Sequence, residues 1–175
     1  MPLIQEQLQA IRTQIPPRPD TDIPMPYEDL LRKILMEGNL KNDRTGTGTI
    51  SLFGQQMRFD LAKGFPLLTT KRVFFKGIAY ELLWFLKGSS NVHWLQEHNV
   101  HIWDEWADET GSIGKAYGYQ IGVKSHYKEG DMDQMDRVLF DLKQNPYSRR
   151  IMTNTYVFAD LSEMHLYPCA YSVTY

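Results

Sequence analysis

The chain is most apolar across residues 74–86, which read FFKGIAYELLWFL. The segment has the length of an ordinary helix, and Gly88 follows at a place where helices commonly end. A helix that is apolar on most sides is normally covered by its neighbours. We therefore expect residues 74–86 to form a largely buried helix at the centre of the core.

Further helices are predicted on either side of this segment, because apolar residues recur at helical spacing. They cover residues 3–14, 27–36, 94–100 and 131–143, and Asp131 is expected to cap the last of them. Residues 16–26 contain five prolines. Proline at that density excludes helix and favours an extended arm or linker.

Strands are predicted where apolar residues alternate. Residues 50–59, interrupted by Gly54, are expected to form a hairpin, and residues 150–158 and 167–175 are expected to form two further strands. Residues 103–130 show neither period, so we expect loops with short elements there. Functional residues are often found in such loops.

Charge and composition exclude several classes of protein. The net charge is -2 and the chain has no run of like charges, which disfavours nucleic acid and acidic membranes as partners. No secretion signal begins the sequence, and no apolar run approaches the roughly 18 residues of a membrane span. We expect a soluble, cytoplasmic protein. The single cysteine excludes internal disulfides and zinc sites of the paired-cysteine kind.

That cysteine, Cys169, directly follows Pro168 at the head of an alternating segment. It is either a packing residue or a nucleophile, and a nucleophile needs cationic neighbours that stabilise the thiolate. Arg149 and Arg150 are candidates, since adjacent guanidinium groups at the start of a strand suit bidentate binding of phosphate. The alternative is a pair of solvated surface charges.

Three other groups could carry chemistry. Residues 42–49 combine glycines, threonines and Arg44, which suits either an anion-binding loop or an ordinary hairpin turn. Glu81 interrupts the apolar helix, where it can transfer protons, join an ion pair or reach water. Trp103 and Trp106 can form a platform for a planar ring or anchor the core. The histidines match no metal-ligand spacing, so no metal is assigned.

In this order, eight stretches resemble the thymidylate synthase family. They are Asn42–Thr49, Gln56–Phe59, Gly64–Lys71, Glu81–Leu86, Ile102–Asp108, Tyr117–Gly118, Ser148–Arg150 and Pro168–Cys169. The resemblance implies an α/β fold of the α+β type, in which helices cover one face of a mostly antiparallel sheet and a second subunit pairs with the other. Residues 27–175 then form an incomplete synthase-like domain, and residues 1–26 form a proline-rich arm.

The resemblance also implies the reaction. A thymidylate synthase methylates dUMP to dTMP, with 5,10-methylenetetrahydrofolate donating both the one-carbon unit and a hydride. By that similarity Cys169 is the nucleophile that adds to carbon 6 of the uracil ring. Glu81 organises the proton transfers, and Tyr117 lies near the thiol.

The same resemblance implies the binding residues. Arg44 holds the nucleotide phosphate, and Arg149 and Arg150 reach that phosphate from the second subunit of a homodimer. The folate site is lined by Lys71, Ile102, Trp103, Asp104 and Trp106.

Several features set this chain apart from the family pattern, among them the stretches Tyr119–Gly122 and Asn154–Val157. Ala170 stands where histidine commonly follows the cysteine, and further substrate-binding residues of the family lie beyond the equivalent of Tyr175. We therefore expect little turnover from this chain alone, as a fragment or as one piece of a split enzyme with a separate C-terminal half. The alternatives are a dUMP or dCMP hydroxymethylase, which adds water where the synthase transfers hydride, and a non-catalytic nucleotide-binding remnant.

Overall fold

The computed structural model describes residues 2–21, 24–42 and 46–175. The chain divides into two compact units, Met1–Leu68 and Thr69–Tyr175. Throughout the described ranges, no helix has both the length and the apolar character needed to cross a membrane.

Among its described residues, the first unit contains two α-helices, one strand pair and a short 3-10 segment, Leu61–Lys63. The helices and strands are α1 (Pro2–Thr13), α2 (Pro26–Glu37), β1 (Asn39–Lys41) and β2 (Thr49–Ser51). The α1 helix carries the buried Leu8, and its Arg12 donates hydrogen bonds from Nε to the carbonyl of Leu35 (3.4 Å) and from Nη2 to that of Gly38 (3.1 Å). Arg12 thereby satisfies carbonyl groups at the end of α2, which a helix leaves without partners.

The hairpin predicted for residues 50–59 is wrong. Strand β2 pairs antiparallel with β1, which precedes it in the chain, and residues 52–60 form no strand. Gly54 lies in a turn with φ 65°, and the neighbouring Phe53 is fully exposed. Alternation of apolar residues indicates a strand but does not say which strand it pairs with, because pairing joins residues distant in sequence.

The second unit contains four helices and four strands among the described residues. The helices are α3 (Phe75–Leu86), α4 (His93–Glu97), α5 (Tyr117–Gly122) and α6 (Gln134–Gln144), and the strands are β3 (Ser125–Tyr127), β4 (Gly130–Met132), β5 (Met152–Asn154) and β6 (Ser172–Thr174). Two 3-10 segments are also present in this unit: Asp104–Trp106 lies between α4 and α5, and Phe158–Glu163 lies between β5 and β6.

The predicted cap of α6 is wrong by two residues. Asp133, not Asp131, accepts a hydrogen bond from the backbone N–H of Asp136 at 2.8 Å. Asp131 instead belongs to β4, where it is paired with His126 of β3. Both aspartates have the right residue type for a cap, and only the strand pairing assigns one of them to β4.

The fold class is confirmed, since helices combine with strand pairs that are all antiparallel. In the described residues these strands form three separate two-stranded sheets rather than one continuous sheet. In the second unit, Gln134 of α6 connects this helix to both α5 and β5. Its side-chain amide donates to the carbonyls of Gln120 and Asn154, both at 2.7 Å, and its oxygen accepts from the N–H of Asn154 at 2.7 Å.

The core of the second unit lies where α3 meets α4, α5 and the loop after α4. Trp84 of α3 is fully buried beside Leu95 and Ile113, and its indole N–H donates to the carbonyl of Asn91 at 2.8 Å. Gly118 permits the close approach of α5, because a Cβ there would lie 1.8 Å from the carbonyl oxygen of Ser89. The start of α5 is thereby placed directly against the end of α3.

The helix predicted at residues 74–86 is confirmed as α3, but the prediction that it is largely buried is wrong. Only Gly77 and Trp84 of α3 are buried. Its exposed apolar residues are Phe75, Ile78, Leu82, Leu83 and Leu86, each at least 43% exposed. Apolar composition indicates that a helix is suited to burial, but it does not say which polypeptide covers each face.

Candidate active site

Cys169 lies at a bend just before β6, rather than within a strand as the alternating pattern predicted. The residue is exposed, and its backbone N–H donates to the hydroxyl oxygen of Tyr117 at 2.7 Å. The two residues after Cys169 are held by Thr155. Its hydroxyl donates to the carbonyl of Ala170, and its N–H donates to the carbonyl of Tyr171 (2.9 Å). The backbone around Cys169 is thus tied on both sides while the residue itself stays accessible.

Tyr117 is the buried residue that receives this bend. It is the first residue of α5, and its ring stacks on Phe85 of α3 at 4.6 Å and meets Trp103 edge-on at 5.9 Å. Burial raises the pKa of Tyr117, with the nearby backbone N–H groups of Cys169 and Ala170 opposing the shift. The phenol is therefore neutral at physiological pH, and its oxygen is positioned to accept the hydrogen bond from Cys169.

Glu81 is joined to this aromatic group through Trp103. It is half-buried on α3, and one carboxylate oxygen accepts a hydrogen bond from the indole N–H of Trp103 at 2.7 Å. Trp103 is 7% exposed and packs within the core cluster. The structure therefore brings four predicted residues together in one cluster: Glu81, Trp103, Tyr117 and Cys169.

Asp104 and Trp106 are anchored beside this cluster. One oxygen of Asp104 accepts from the side-chain amide of Gln96 at 3.1 Å, and the other lies 2.8 Å from Nδ1 of His101. Burial raises the pKa of Asp104, but these hydrogen bonds outweigh burial and the pKa is lowered overall. Trp106 is half-buried against the core, and its carbonyl lies 2.8 Å from Nδ1 of His165.

The remaining predicted residues lie apart from the thiol or outside the described ranges. Lys71 is exposed, and Ile102 is 45% exposed. Arg149 and Arg150 are exposed just before β5, and within the described residues no hydrogen bond or ion pair joins either guanidinium group to Cys169. Arg44 lies outside the described residues.

Sequence reasoning missed two features of the site. Phe85 supplies the ring on which Tyr117 stacks, and its position one helical turn after Glu81 was the available signal. An apolar groove of about 360 Å³ also opens beside the cysteine, lined by Asn154, Tyr156, Phe158, Pro168 and Tyr171. Pro168 directly precedes Cys169, and Tyr171 follows it by two positions. The other three lining residues come from the segment that starts at β5.

Among the described residues, no group of three or more histidine, cysteine, aspartate or glutamate side chains is placed to hold a metal ion. The cluster around Cys169 combines an accessible thiol, a buried phenol and a carboxylate in an aromatic setting. Such a set can supply a nucleophile and a proton-transfer group side by side.

Comparison with known proteins agrees with the resemblance. The sequence pattern of the family described as thymidylate synthase matches residues 25–175. The solved structure of the thermostable thymidylate synthase A from Bacillus subtilis matches with a TM-score of 0.74 and 39% sequence identity, covering 84% of this chain and 57% of that chain. This chain thus spans little more than half the length of that protein. The chain belongs to the thymidylate synthase family.

Proposed function

We propose that this chain carries the thiol-bearing part of an enzyme that converts dUMP to dTMP in the cytoplasm, with 5,10-methylenetetrahydrofolate as donor of the one-carbon unit and the hydride. The observation that carries the proposal is the hydrogen bond between the Cys169 N–H and the Tyr117 hydroxyl. It holds an exposed cysteine against the cluster that contains Glu81.

The proposed chemistry begins at the sulfur of Cys169. The thiolate adds to carbon 6 of the uracil ring, and the electrons of the ring double bond move toward carbon 5. Carbon 5 then attacks the one-carbon unit of the folate, which breaks one of the unit's two carbon–nitrogen bonds, and carbon 5 loses its proton in transfers organised by Glu81. Cleavage of the second carbon–nitrogen bond leaves the unit as a methylene group on carbon 5 and releases tetrahydrofolate. Hydride from tetrahydrofolate, which is thereby oxidised to dihydrofolate, reduces the methylene to the methyl group as the carbon–sulfur bond breaks and the thiolate is regenerated.

The phosphate of dUMP is proposed to bind to Arg44, Arg149 and Arg150. The last two are exposed, and within the described residues neither guanidinium group has a hydrogen bond or an ion pair. A free guanidinium group is well suited to bidentate contact with phosphate. We propose that Arg149 and Arg150 act across a homodimer, and the exposed apolar side chain of Met152, on the face of the β5–β6 pair that it shares with the exposed Thr174, supports a subunit contact there.

The folate is proposed to bind beside the aromatic cluster. Ile102 and Trp106 offer accessible apolar surface, and Lys71 offers an exposed positive charge for the anionic part of the molecule. Trp103 and Asp104 are held from within the protein by Glu81 and Gln96. Their fixed positions support a rigid wall for the site, because an ordered wall reduces the entropy lost on binding.

We propose that a second polypeptide segment, equivalent to the part of the Bacillus subtilis enzyme that this chain does not span, completes the site. The exposed apolar side of α3 supports this proposal, since Leu82 is 57% exposed and Leu83 is 51% exposed. Apolar helix surface of this extent normally marks a protein interface. The 175-residue chain alone is then expected to show little turnover.

A complementation assay tests the proposal. The chain is mixed with a polypeptide covering the remainder of the Bacillus subtilis enzyme, supplied with dUMP and 5,10-methylenetetrahydrofolate, and dTMP is measured by chromatography. We expect dTMP only from the mixture, and none when the chain carries Cys169→Ser. Ser162→Ala, at an exposed position, is the control and should leave the yield unchanged.

Mass spectrometry of Cys169 separates the other outcomes. A nucleotide adduct at Cys169 supports covalent catalysis. A hydroxymethylated nucleotide as product identifies the hydroxymethylase instead, and nucleotide binding in calorimetry without adduct or product identifies a non-catalytic binding protein. Turnover that survives Cys169→Ser excludes Cys169 as the nucleophile.

A further inference from the structure

A charged cluster that the proposed reaction does not use lies next to the Tyr117–Cys169 contact. Lys115 donates from Nζ to Oδ1 of Asp160 at 3.1 Å and to Oε1 of Glu163 at 2.8 Å. Its backbone N–H also donates to the carbonyl of Glu163 at 3.0 Å. One lysine therefore attaches the segment Phe158–Glu163 to the segment that leads into α5.

Gln120 completes the cluster from inside the protein. It is 2% exposed, and its side-chain amide donates to Oδ2 of Asp160 at 2.9 Å and to the carbonyl of Lys115 at 3.0 Å. Both carboxylate oxygens of Asp160 are therefore engaged, one by Lys115 and one by Gln120. A buried polar group with this many partners favours one arrangement, because any shift leaves polar atoms without hydrogen bonds.

The cluster fixes the two segments that carry the active-site pair. Tyr117 stands between Lys115 and Gln120 in the sequence, and Cys169 follows Glu163 by six positions. On the N-terminal side of Lys115, Gly114 forms an antiparallel β-bridge with Met164, and the N–H of His165 donates to the carbonyl of Ile113 at 3.2 Å. Because this bridge is antiparallel, the chain after Met164 runs alongside residues that precede Gly114, and it meets Tyr117 again at Cys169, through the hydrogen bond to the hydroxyl.

We propose that Lys115, acting with Asp160 and Gln120, is a positioning residue that holds the Cys169 backbone against the Tyr117 hydroxyl and so orients the thiol. Lys115 does not touch the reacting atoms. Its role rests on the proposed function, since the orientation of Cys169 matters for turnover only if Cys169 is the nucleophile. The contact itself, however, can be measured without nucleotide or folate.

Hydrogen exchange of the Cys169 backbone amide in the 175-residue chain, measured by NMR, reports this contact directly. Lys115→Met keeps the aliphatic stem and removes the ammonium group. We expect it to accelerate exchange at Cys169 about tenfold, the effect of weakening one ordinary hydrogen bond. The amides of Val92 and Thr155, which bond to Gly111 and Tyr171, should stay within about twofold of wild type.

Three further variants make the test specific. Lys115→Arg should restore wild-type exchange, because it keeps a cation that can bond both carboxylates. Lys128→Met, at an exposed lysine in the turn between β3 and β4, is the matched control and should have no effect. Tyr117→Phe removes the acceptor, and combining it with Lys115→Met should give no more exchange at Cys169 than Tyr117→Phe alone.

The proposal is overturned if Lys115→Met leaves Cys169 exchange at the wild-type rate, or if it accelerates Val92 and Thr155 equally, which indicates a general loss of stability. Additive effects in the double variant also overturn it. If Lys115→Met does not fold, Asp160→Asn is measured by the same criteria. Failure here leaves the reductive methylation of dUMP open, whereas loss of that reaction with intact exchange behaviour would count against the proposed function alone.

Discussion

At the scale of single residues, Tyr117 is the side chain that connects the thiol segment to the core. Its ring is buried between Phe85 and Trp103, and its hydroxyl accepts from the N–H of Cys169. Through Trp103 the same cluster holds Glu81. The relative placement of the cysteine and the glutamate therefore depends on packed aromatic rings, which have few rotatable bonds and little freedom once buried.

Trp103→Phe tests the link between this cluster and Glu81. The change leaves a gap in the core and removes the only donor that the described residues show at Oε1 of Glu81. We expect the free energy of unfolding to fall by about 1–3 kcal/mol, measured by urea denaturation followed by circular dichroism. Trp106→Phe is the matched control, because Trp106 is only half-buried. An equal loss for both variants would contradict a special role for the Trp103 indole.

The charge on Asp160 predicts a dependence of stability on pH. Hydrogen bonds from Gln120 and then from Lys115 hold the pKa of Asp160 below its ordinary value of 3.8. Between the lowered pKa of the folded chain and that of the unfolded chain, the unfolded state binds more protons, so stability rises with pH. The contribution of Asp160 is fully present above the unfolded pKa and is lost as pH falls through the folded one.

We therefore expect the free energy of unfolding to decrease below about pH 4, measured by urea denaturation at a series of pH values. Asp160→Asn should flatten this decrease, and Asp20→Asn, at an exposed position, should not. Part of the slope should remain in Asp160→Asn, because hydrogen bonds also lower the pKa of Asp108. Parallel curves for wild type and Asp160→Asn would show that this carboxylate is not responsible.

At the scale of secondary-structure elements, α3 has two different sides. Trp84 anchors one side in the core, and Phe85 and Glu81 face the thiol cluster. The other side leaves Leu82 and Leu83 more than half exposed. The helix thus contributes to the site on one side and offers unpaired apolar surface on the other.

Substitution of the exposed side should separate folding from assembly. Leu82→Gln with Leu83→Gln replaces side chains that are more than half exposed, so we expect the free energy of unfolding to change by less than about 1 kcal/mol. The same variant should give no dTMP in the complementation assay. Leu95→Gln, at a fully buried position, should instead lower stability by several kcal/mol, on the order of 3 or more. Wild-type complementation by the double variant would show that this surface is not the contact.

At the scale of the whole molecule, the two units differ in the extent of their cores. Leu8 is the one apolar side chain buried in Met1–Leu68, counting only the side chains that the structure describes there. In Thr69–Tyr175 a continuous cluster includes Trp84, Leu95, Ile113 and Tyr117. Because buried apolar area is the main source of stability, the second unit should be the more stable of the two.

Native-state hydrogen exchange tests this difference. The amide of Gly38, which bonds to the carbonyl of Ile34 at 2.8 Å, reports the first unit, and the amide of Val92, which bonds to the carbonyl of Gly111 at 2.8 Å, reports the second. We expect Gly38 to exchange at least about tenfold faster. Equal rates with the same response to added urea would show that the chain unfolds as one cooperative unit.

Several features of this protein followed from the sequence alone. Helices α1, α2 and α3 were predictable because periodic apolar residues and flanking glycine or proline act over a few neighbouring positions. The family was also predictable, since eight short stretches in a fixed order are specific even when each one is weak. Cys169 could be singled out simply because the chain has no other thiol.

Only the tertiary structure decided how these residues meet. Tyr117 and Cys169 are 52 positions apart, and Glu81 and Trp103 are 22 apart, so no local pattern connects them. The partner of β2, the exposed side of α3 and the cluster around Lys115 were likewise absent from any periodicity. Periodicity reports which side of an element is apolar, whereas the partner on that side is chosen by packing and hydrogen bonding among segments that are distant in the chain.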